Sequence, residues 1–166
     1  KASNIINEQK ATVIIQHITY NKLDAKYDTR IFTEPTLKGR LGVNAMEADK
    51  HLYDHILYDS KNECEFATNL DKSEEVAVYV KLPSGFFITT PVGKYNPDWA
   101  IAFYEGKVKH IYFVAETKGS MSSLQLRAVE TLKIRCAEEH FKAISSDTVK
   151  YDVVSNYNKL MDKVMK

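Results

Sequence analysis

Asp98, Glu116 and Lys118 are the residues whose types and spacing could do chemistry. Residues 98–104 and 110–116 are rich in aromatic and β-branched side chains, with the turn sequence Glu105-Gly106-Lys107 between them. The stretch 91–119 therefore reads as a β-hairpin. Asp98 and Glu116 each lie nine residues from Lys107. A hairpin folded about that point sets them opposite each other, with Cβ atoms about 5 Å apart. Side chains alternate faces along a strand, so Lys118 shares the face of Glu116 if the strand runs that far. Their neighbours on that face are Ala100, Ala102 and Val114, while Trp99, Ile101, Phe103, Ile111 and Phe113 form the greasier opposite face.

Two carboxylates so close repel each other, and apolar surroundings raise the cost. A divalent cation between them removes it. Hard oxygen ligands suit Mg²⁺, which takes one or two carboxylates and keeps several waters for a phosphate substrate; Mn²⁺ is an alternative. A lysine beside such a centre can orient or deprotonate an attacking water, or stabilise charge on the phosphate.

Pro97-Asp98 and Glu116-Thr117-Lys118 resemble the signature of the PD-(D/E)xK nuclease superfamily. The bare Asp/Glu-x-Lys pattern recurs at Glu8, Asp24, Asp59 and Glu105, but only the Glu116 copy ends an apolar strand with a matching Pro-Asp upstream. The flanking words are more specific. Tyr95-Asn96-Pro97-Asp98-Trp99, Ala115-Glu116-Thr117-Lys118-Gly119, Lys133-Ile134, Cys136-Ala137 and His140-Phe141 resemble the C-terminal nuclease domain of the Res subunit of type III restriction-modification enzymes, over residues 41–155.

The resemblance implies an α/β domain with a restriction-endonuclease-like core, αβββαβ, its mixed sheet flanked by helices. It implies a Mg²⁺-dependent DNA endonuclease in which Asp98, Glu116 and the main-chain carbonyl of Thr117 hold the metal and Lys118 places the water. Many members also carry an acidic residue on the helix before the sheet. The pattern Ser60-x-x-Glu63-x-x-Phe66-x-x-x-Leu70 makes Glu63 that candidate, with Glu65 second. The competing role for Glu63 is a capping box with Ser60. On the helix after Glu-x-Lys, Gln125 is a candidate support for the metal water, against an ordinary exposed glutamine. Arg127 and Lys133 are candidates for phosphate contacts, against a solvated face. The implied partners are double-stranded DNA, methyltransferase (Mod) subunits that read the sequence, and an ATP-dependent motor. One such site cuts one strand, so a double-strand break implies two domains or two events.

The whole chain is in keeping with this. Its 166 residues, 44% hydrophobic and 27% charged, fit a globular domain with a real core. The absence of an initial Met points to a piece of a longer protein, with 1–44 joining it to the upstream motor and 45–166 forming the endonuclease domain. The net charge of +1 is low for a domain that holds DNA unaided. Cys64 and Cys136 are too few for a disulfide framework or a zinc site, which fits a reducing cytoplasm, a prokaryotic one by the resemblance. No apolar run approaches membrane-spanning length. Gly93-Lys94 lacks the Gly-x-x-x-x-Gly-Lys-Ser/Thr context of a phosphate loop, so ATP belongs to the motor alone.

The remaining elements follow from periodicity. Residues 12–20 and 30–33 read as an N-terminal hairpin and 35–44 as a loop. Residues 45–58 read as a helix with Met46, Leu52, Tyr53 and His55 or Ile56 on its inner side. His51 and His55 would then stand one turn apart, without a third metal ligand. A helix over 60–70, a strand over 76–82 and a short extended run over 86–90 precede the hairpin. A long helix over 123–141 presents Leu124, Ala128, Leu132, Cys136 and Ala137 to the sheet. Residues 142–146 and 149–154 read as strands and 156–166 as a short amphipathic helix. Two rivals remain: a retaining glycosidase, disfavoured by the lysine beside the carboxylates, and a non-catalytic DNA- or subunit-docking module, disfavoured by the intact Asp98, Glu116 and Lys118.

Overall fold

The structure is a computed structural model. It describes residues 13, 18–20, 29–32, 39–108, 112–117, 124–144 and 149–165, with the backbone path alone at 29, 31, 116 and 124–127. The expected N-terminal hairpin falls largely outside these residues; within it, Thr29–Phe32 forms a 3-10 turn.

The described elements are β1 (Ala45–Glu47), β2 (His55–Leu57), α1 (Lys61–Lys72), β3 (Val76–Lys81), β4 (Ile88–Thr90), β5 (Gly93–Tyr95), β6 (Trp99–Phe103), β7 (Tyr112–Thr117), α2 (Leu124–Ile144), β8 (Val149–Val154) and α3 (Tyr157–Val164). The central sheet has the order β3-β6-β7-β8. The first three strands run antiparallel, and β8 joins β7 in parallel after the α2 crossover. Omitting the β4–β5 hairpin, the order α1-β3-β6-β7-α2-β8 is the αβββαβ core expected from the sequence. The fold is a mixed α/β, restriction-endonuclease-like one.

The β6–β7 hairpin follows its sequence closely. Lys107 N–H donates to the Tyr104 carbonyl at 3.2 Å, and Gly106 takes φ +81°, the conformation that a type II turn asks of its third residue. The pairs run from Trp99 with Ala115 to Ala102 with Tyr112, a register centred on Lys107. Alternation then sends Trp99, Ile101, Phe103 and Phe113 into the main core. There they meet Phe66, Ala67 and Leu70 of α1 and Leu160 and Val164 of α3. Full burial of such side chains is worth about 1.5–3 kcal/mol each. Across the sheet, α2 packs Ala137 and Phe141 against Ile88, Tyr95 and Tyr151. Phe141 stacks on Tyr151 with centroids 4.9 Å apart, and the Tyr95 and Tyr151 hydroxyls lie 2.6 Å from each other. This pins the β4–β5 hairpin just before Pro97-Asp98.

Three expectations are corrected. Residues 45–58 are not a helix: β1 and β2 pair antiparallel, Ala45 opposite Leu57 and Glu47 opposite His55. The cause is tertiary. The connecting loop docks along the edge of β3, with Leu52 N–H on the Tyr79 carbonyl at 2.9 Å and Tyr79 N–H on the Lys50 carbonyl at 3.0 Å. The Asp71 carboxylate accepts from the N–H groups of Asp49 and Lys50 at 3.1 and 2.9 Å. Ile56 is buried as expected, but Leu52, Tyr53 and His55 are exposed. Secondly, residues 142–144 continue α2 rather than starting a strand. Thirdly, Ala128 is exposed, while Leu132, Cys136 and Ala137 are buried as expected; the Leu124 side chain lies outside those described.

Candidate active site

Asp98 is held from three directions. Its carbonyl accepts the N–H of Leu82 at 2.8 Å, which fixes its backbone beside the end of β3. Its Oδ2 accepts the N–H of Thr117 at 2.7 Å and the Thr117 hydroxyl in a short hydrogen bond. The Thr117 hydroxyl in turn accepts from the buried Trp99 indole at 3.3 Å. The clamp joins the start of β6 to the end of β7. Carrying the register one pair beyond Trp99 and Ala115 sets Asp98 opposite Glu116, as the sequence arithmetic expects. On the other side Glu116 is paired with Val153 of β8. A strand residue directs its N–H and C=O toward the same neighbour, so the Thr117 carbonyl is on the side of Asp98.

Glu63 approaches from α1. It precedes the buried Phe66, Ala67 and Leu70 at i+3, i+4 and i+7, so helical geometry turns it toward the sheet. Glu65 lies off that stripe and is exposed, with Lys61 at 3.6 Å. Both roles weighed for Glu63 are present. Its N–H donates to the Ser60 hydroxyl at 3.2 Å, and its Oε2 accepts the Asp59 N–H at 2.8 Å, one residue before the usual capping-box donor. The same Oε2 accepts from Lys81 Nζ at 2.8 Å.

Lys81 was not singled out by sequence. Its ammonium bridges Glu63 Oε2 and Asp59 Oδ2, both at 2.8 Å. The available signal was alternation: Lys81 ends an apolar strand two residues after the core residue Tyr79, so it points to the α1 side. His51, whose spacing from His55 offered no third metal ligand, has a structural task, its Nε2 accepting the Lys81 N–H at 3.2 Å. Burial lowers the His51 pKa, which suits an acceptor nitrogen.

The electrostatics bind these residues into one corner. Burial, the largest influence, pushes Asp98 above the usual carboxylate range. The Thr117 hydrogen bonds oppose the rise, Glu63's negative charge adds to it and the Lys81 charge counters it. Burial pulls Lys81 down, but its hydrogen bonds to Asp59 and Glu63 and their charges outweigh that and hold it above its ordinary value. Hence a half-buried carboxylate lies in the field of a second one.

This donor set fits a hard cation. No hydrogen bond engages Asp98 Oδ1 or Glu63 Oε1 among the described contacts, while the partner oxygen of each is anchored. Two carboxylates with water satisfy Mg²⁺. Among the described residues no three His, Cys, Asp or Glu side chains are grouped to hold a metal; the Glu116 side chain lies outside them. So do Lys118 and the side chains of Gln125 and Arg127, whose backbone is in the first turn of α2. Lys133, two turns further on, is half-buried. Among the described residues Cys64 and Cys136 are free, and no helix is long and apolar enough to cross a membrane.

The two acids on α1 should separate cleanly. In the metal-dependent DNA cleavage that the sequence resemblance implies, Glu63→Gln is expected to lower the rate by about tenfold or more, the effect of losing a group that would orient a metal. Glu65→Gln should stay within about twofold, because a solvated i,i+4 pair contributes little. Equal, full activity of both variants would leave Glu63 only a cap.

Comparison with known proteins gives this corner a context. The family described as "Endonuclease domain" matches residues 49–157, a span containing Glu63, Asp98, Glu116, Lys118, Gln125, Arg127 and Lys133. The chain is 32% identical over 100 residues to the type III restriction-modification enzyme EcoPI Res subunit of Escherichia phage P1. It is equally similar to the EcoP15I Res subunit of Escherichia coli. Each match covers 58% of this chain and 10% of the relative, so the chain spans about a tenth of the length of these proteins. No solved structure matches it. With the family match extending from α1 through β8 and over the corner built on them, the chain belongs to the endonuclease-domain family found in the Res subunits of type III restriction enzymes.

Proposed function

We propose that this chain is a Mg²⁺-dependent DNA endonuclease domain of the PD-(D/E)xK type, the cleavage module of a type III restriction enzyme of the prokaryotic cytoplasm. The observation that carries the reading is Asp98, clamped by Thr117 opposite Glu116 in the field of Glu63. Asp98 and Glu116, with the Thr117 carbonyl, would hold Mg²⁺ or Mn²⁺, and Glu63 would supply a further carboxylate. When bound, the cation supplies Lewis-acid stabilisation of the phosphate and a more acidic water. Thr117 keeps one Asp98 oxygen engaged, so the other has a fixed direction. Lys118 orients the attacking water or stabilises charge on the phosphate, and Gln125 supports that water. Arg127 and Lys133 neutralise backbone phosphates, which carry no sequence information. Sequence reading and ATP-driven movement belong to Mod subunits and a motor domain of the full enzyme.

Nicking of supercoiled plasmid by the 166-residue chain tests this. Mg²⁺ or Mn²⁺ should produce the nicked form and EDTA should prevent it. Nicking that persists in EDTA, or equally in Asp98→Asn, would refute the assignment. DNA binding accompanied by neither cleavage nor any metal response would instead favour a docking module.

A further inference from the structure

Lys81 places a positive charge on Glu63, one of the carboxylates that the proposed chemistry offers to a divalent cation. Its backbone is paired with Trp99 on one side and donates to His51 Nε2 at 3.2 Å on the other. Its side chain is 22% exposed and that of Glu63 16%, whereas Asp59 is 87% exposed. The Lys81–Glu63 contact is therefore the sheltered half of the bridge, and the Asp59 contact is screened by water. Among the described side chains, Asp59, Glu63 and Asp98 oppose a single ammonium, so with all four ionised these groups sum to three negative charges and one positive, net −2. Without Lys81 they would sum to −3.

We propose that Lys81 is a positioning residue that stands in for the divalent cation in the metal-free protein, holding Glu63 beside Asp98 and competing with the metal for the Glu63 carboxylate. The inference rests on the reading of this corner as a metal site. Glu63 Oε2 is occupied by Lys81 Nζ and the Asp59 N–H together, so a cation on the other oxygen would share one carboxylate charge with the ammonium and repel it. An ordinary structural salt bridge would contribute alike with and without metal. A stand-in contributes chiefly without it.

Titration calorimetry with Mn²⁺, and melting with and without Mn²⁺, on the 166-residue chain separate these. Lys81→Met keeps the unbranched stem and removes the charge. It should lower the metal-free melting temperature, bind Mn²⁺ on the order of tenfold more tightly, and so show a larger Mn²⁺-induced rise than the parent. Lys81→Arg, which keeps the charge, should restore affinity and melting most of the way to the parent. If metal-free Lys81→Met does not fold, saturating Mn²⁺ should recover its circular dichroism, and a variant unfolded in both conditions overturns the proposal. Unchanged or weaker Mn²⁺ binding by Lys81→Met, with the parent binding normally, also overturns it and leaves the metal site standing. No Mn²⁺ binding by the parent overturns both.

Discussion

Asp98→Asn is expected to lower metal-dependent cleavage on the order of 10²-fold or more, yet to melt at a higher temperature than the parent when metal-free at neutral pH. The sign follows from the environment of Asp98. Burial and the Glu63 charge together exceed the Thr117 hydrogen bonds and the Lys81 charge, so its pKa is raised in the fold. A raised pKa contributes stability that is fully present below the unfolded value, about 4 for Asp. That contribution is lost as pH rises through the folded value. Ionised Asp98 is thus a net cost at neutral pH, and Asn removes it while its amide oxygen can still accept both Thr117 bonds. Each kcal/mol recovered raises melting by about 2–4 °C in a domain of this size. The advantage should vanish at pH values below the ordinary Asp range. Mg²⁺ or Mn²⁺ should raise the melting temperature of the parent by mass action and barely that of Asp98→Asn. Calorimetric scans at two pH values with and without metal check all of this. Equal melting and equal metal response in the two proteins would mean that Asp98 holds no cation.

Lys118→Ala should remove cleavage just as fully, by on the order of 10²–10⁴-fold, while leaving Mn²⁺ affinity and melting close to the parent. The contrast with Asp98→Asn follows from the proposed role, in which the lysine acts on water or phosphate and is not a metal ligand. Lys118→Arg should recover little, since a planar guanidinium does not reproduce a compact ammonium. Plasmid nicking paired with Mn²⁺ titration decides it; lost metal binding in Lys118→Ala would contradict the assigned role.

The sequence by itself determined the β6–β7 hairpin and, through it, the pairing of Asp98 with Glu116. Side-chain period two and the Glu105-Gly106 turn leave little freedom of register, since a slip of one residue would move Trp99, Ile101 and Phe103 to the wrong face. Helix α1 was equally legible, from its Ser60 cap and its Phe66 and Leu70 stripe. That same stripe directs Glu63 toward the sheet and Glu65 toward solvent. The hairpin of β1 and β2 was not legible. Short apolar segments at near-helical spacing carry little information, and here the docking of Lys50 and Leu52 onto the edge of β3 outweighs any helical preference. The Thr117 clamp and the Lys81 bridge were hidden for a related reason. Each is a polar contact between residues 18 or 19 positions apart, the distance from Lys81 back to Glu63 and from Thr117 back to Asp98. Alternation predicts which way such a side chain points. Only the packing of α1 against the end of β3 and of β7 against β6 decides what it meets, because hydrogen bonds form over about 3 Å and no local pattern fixes distances that fine between separate elements.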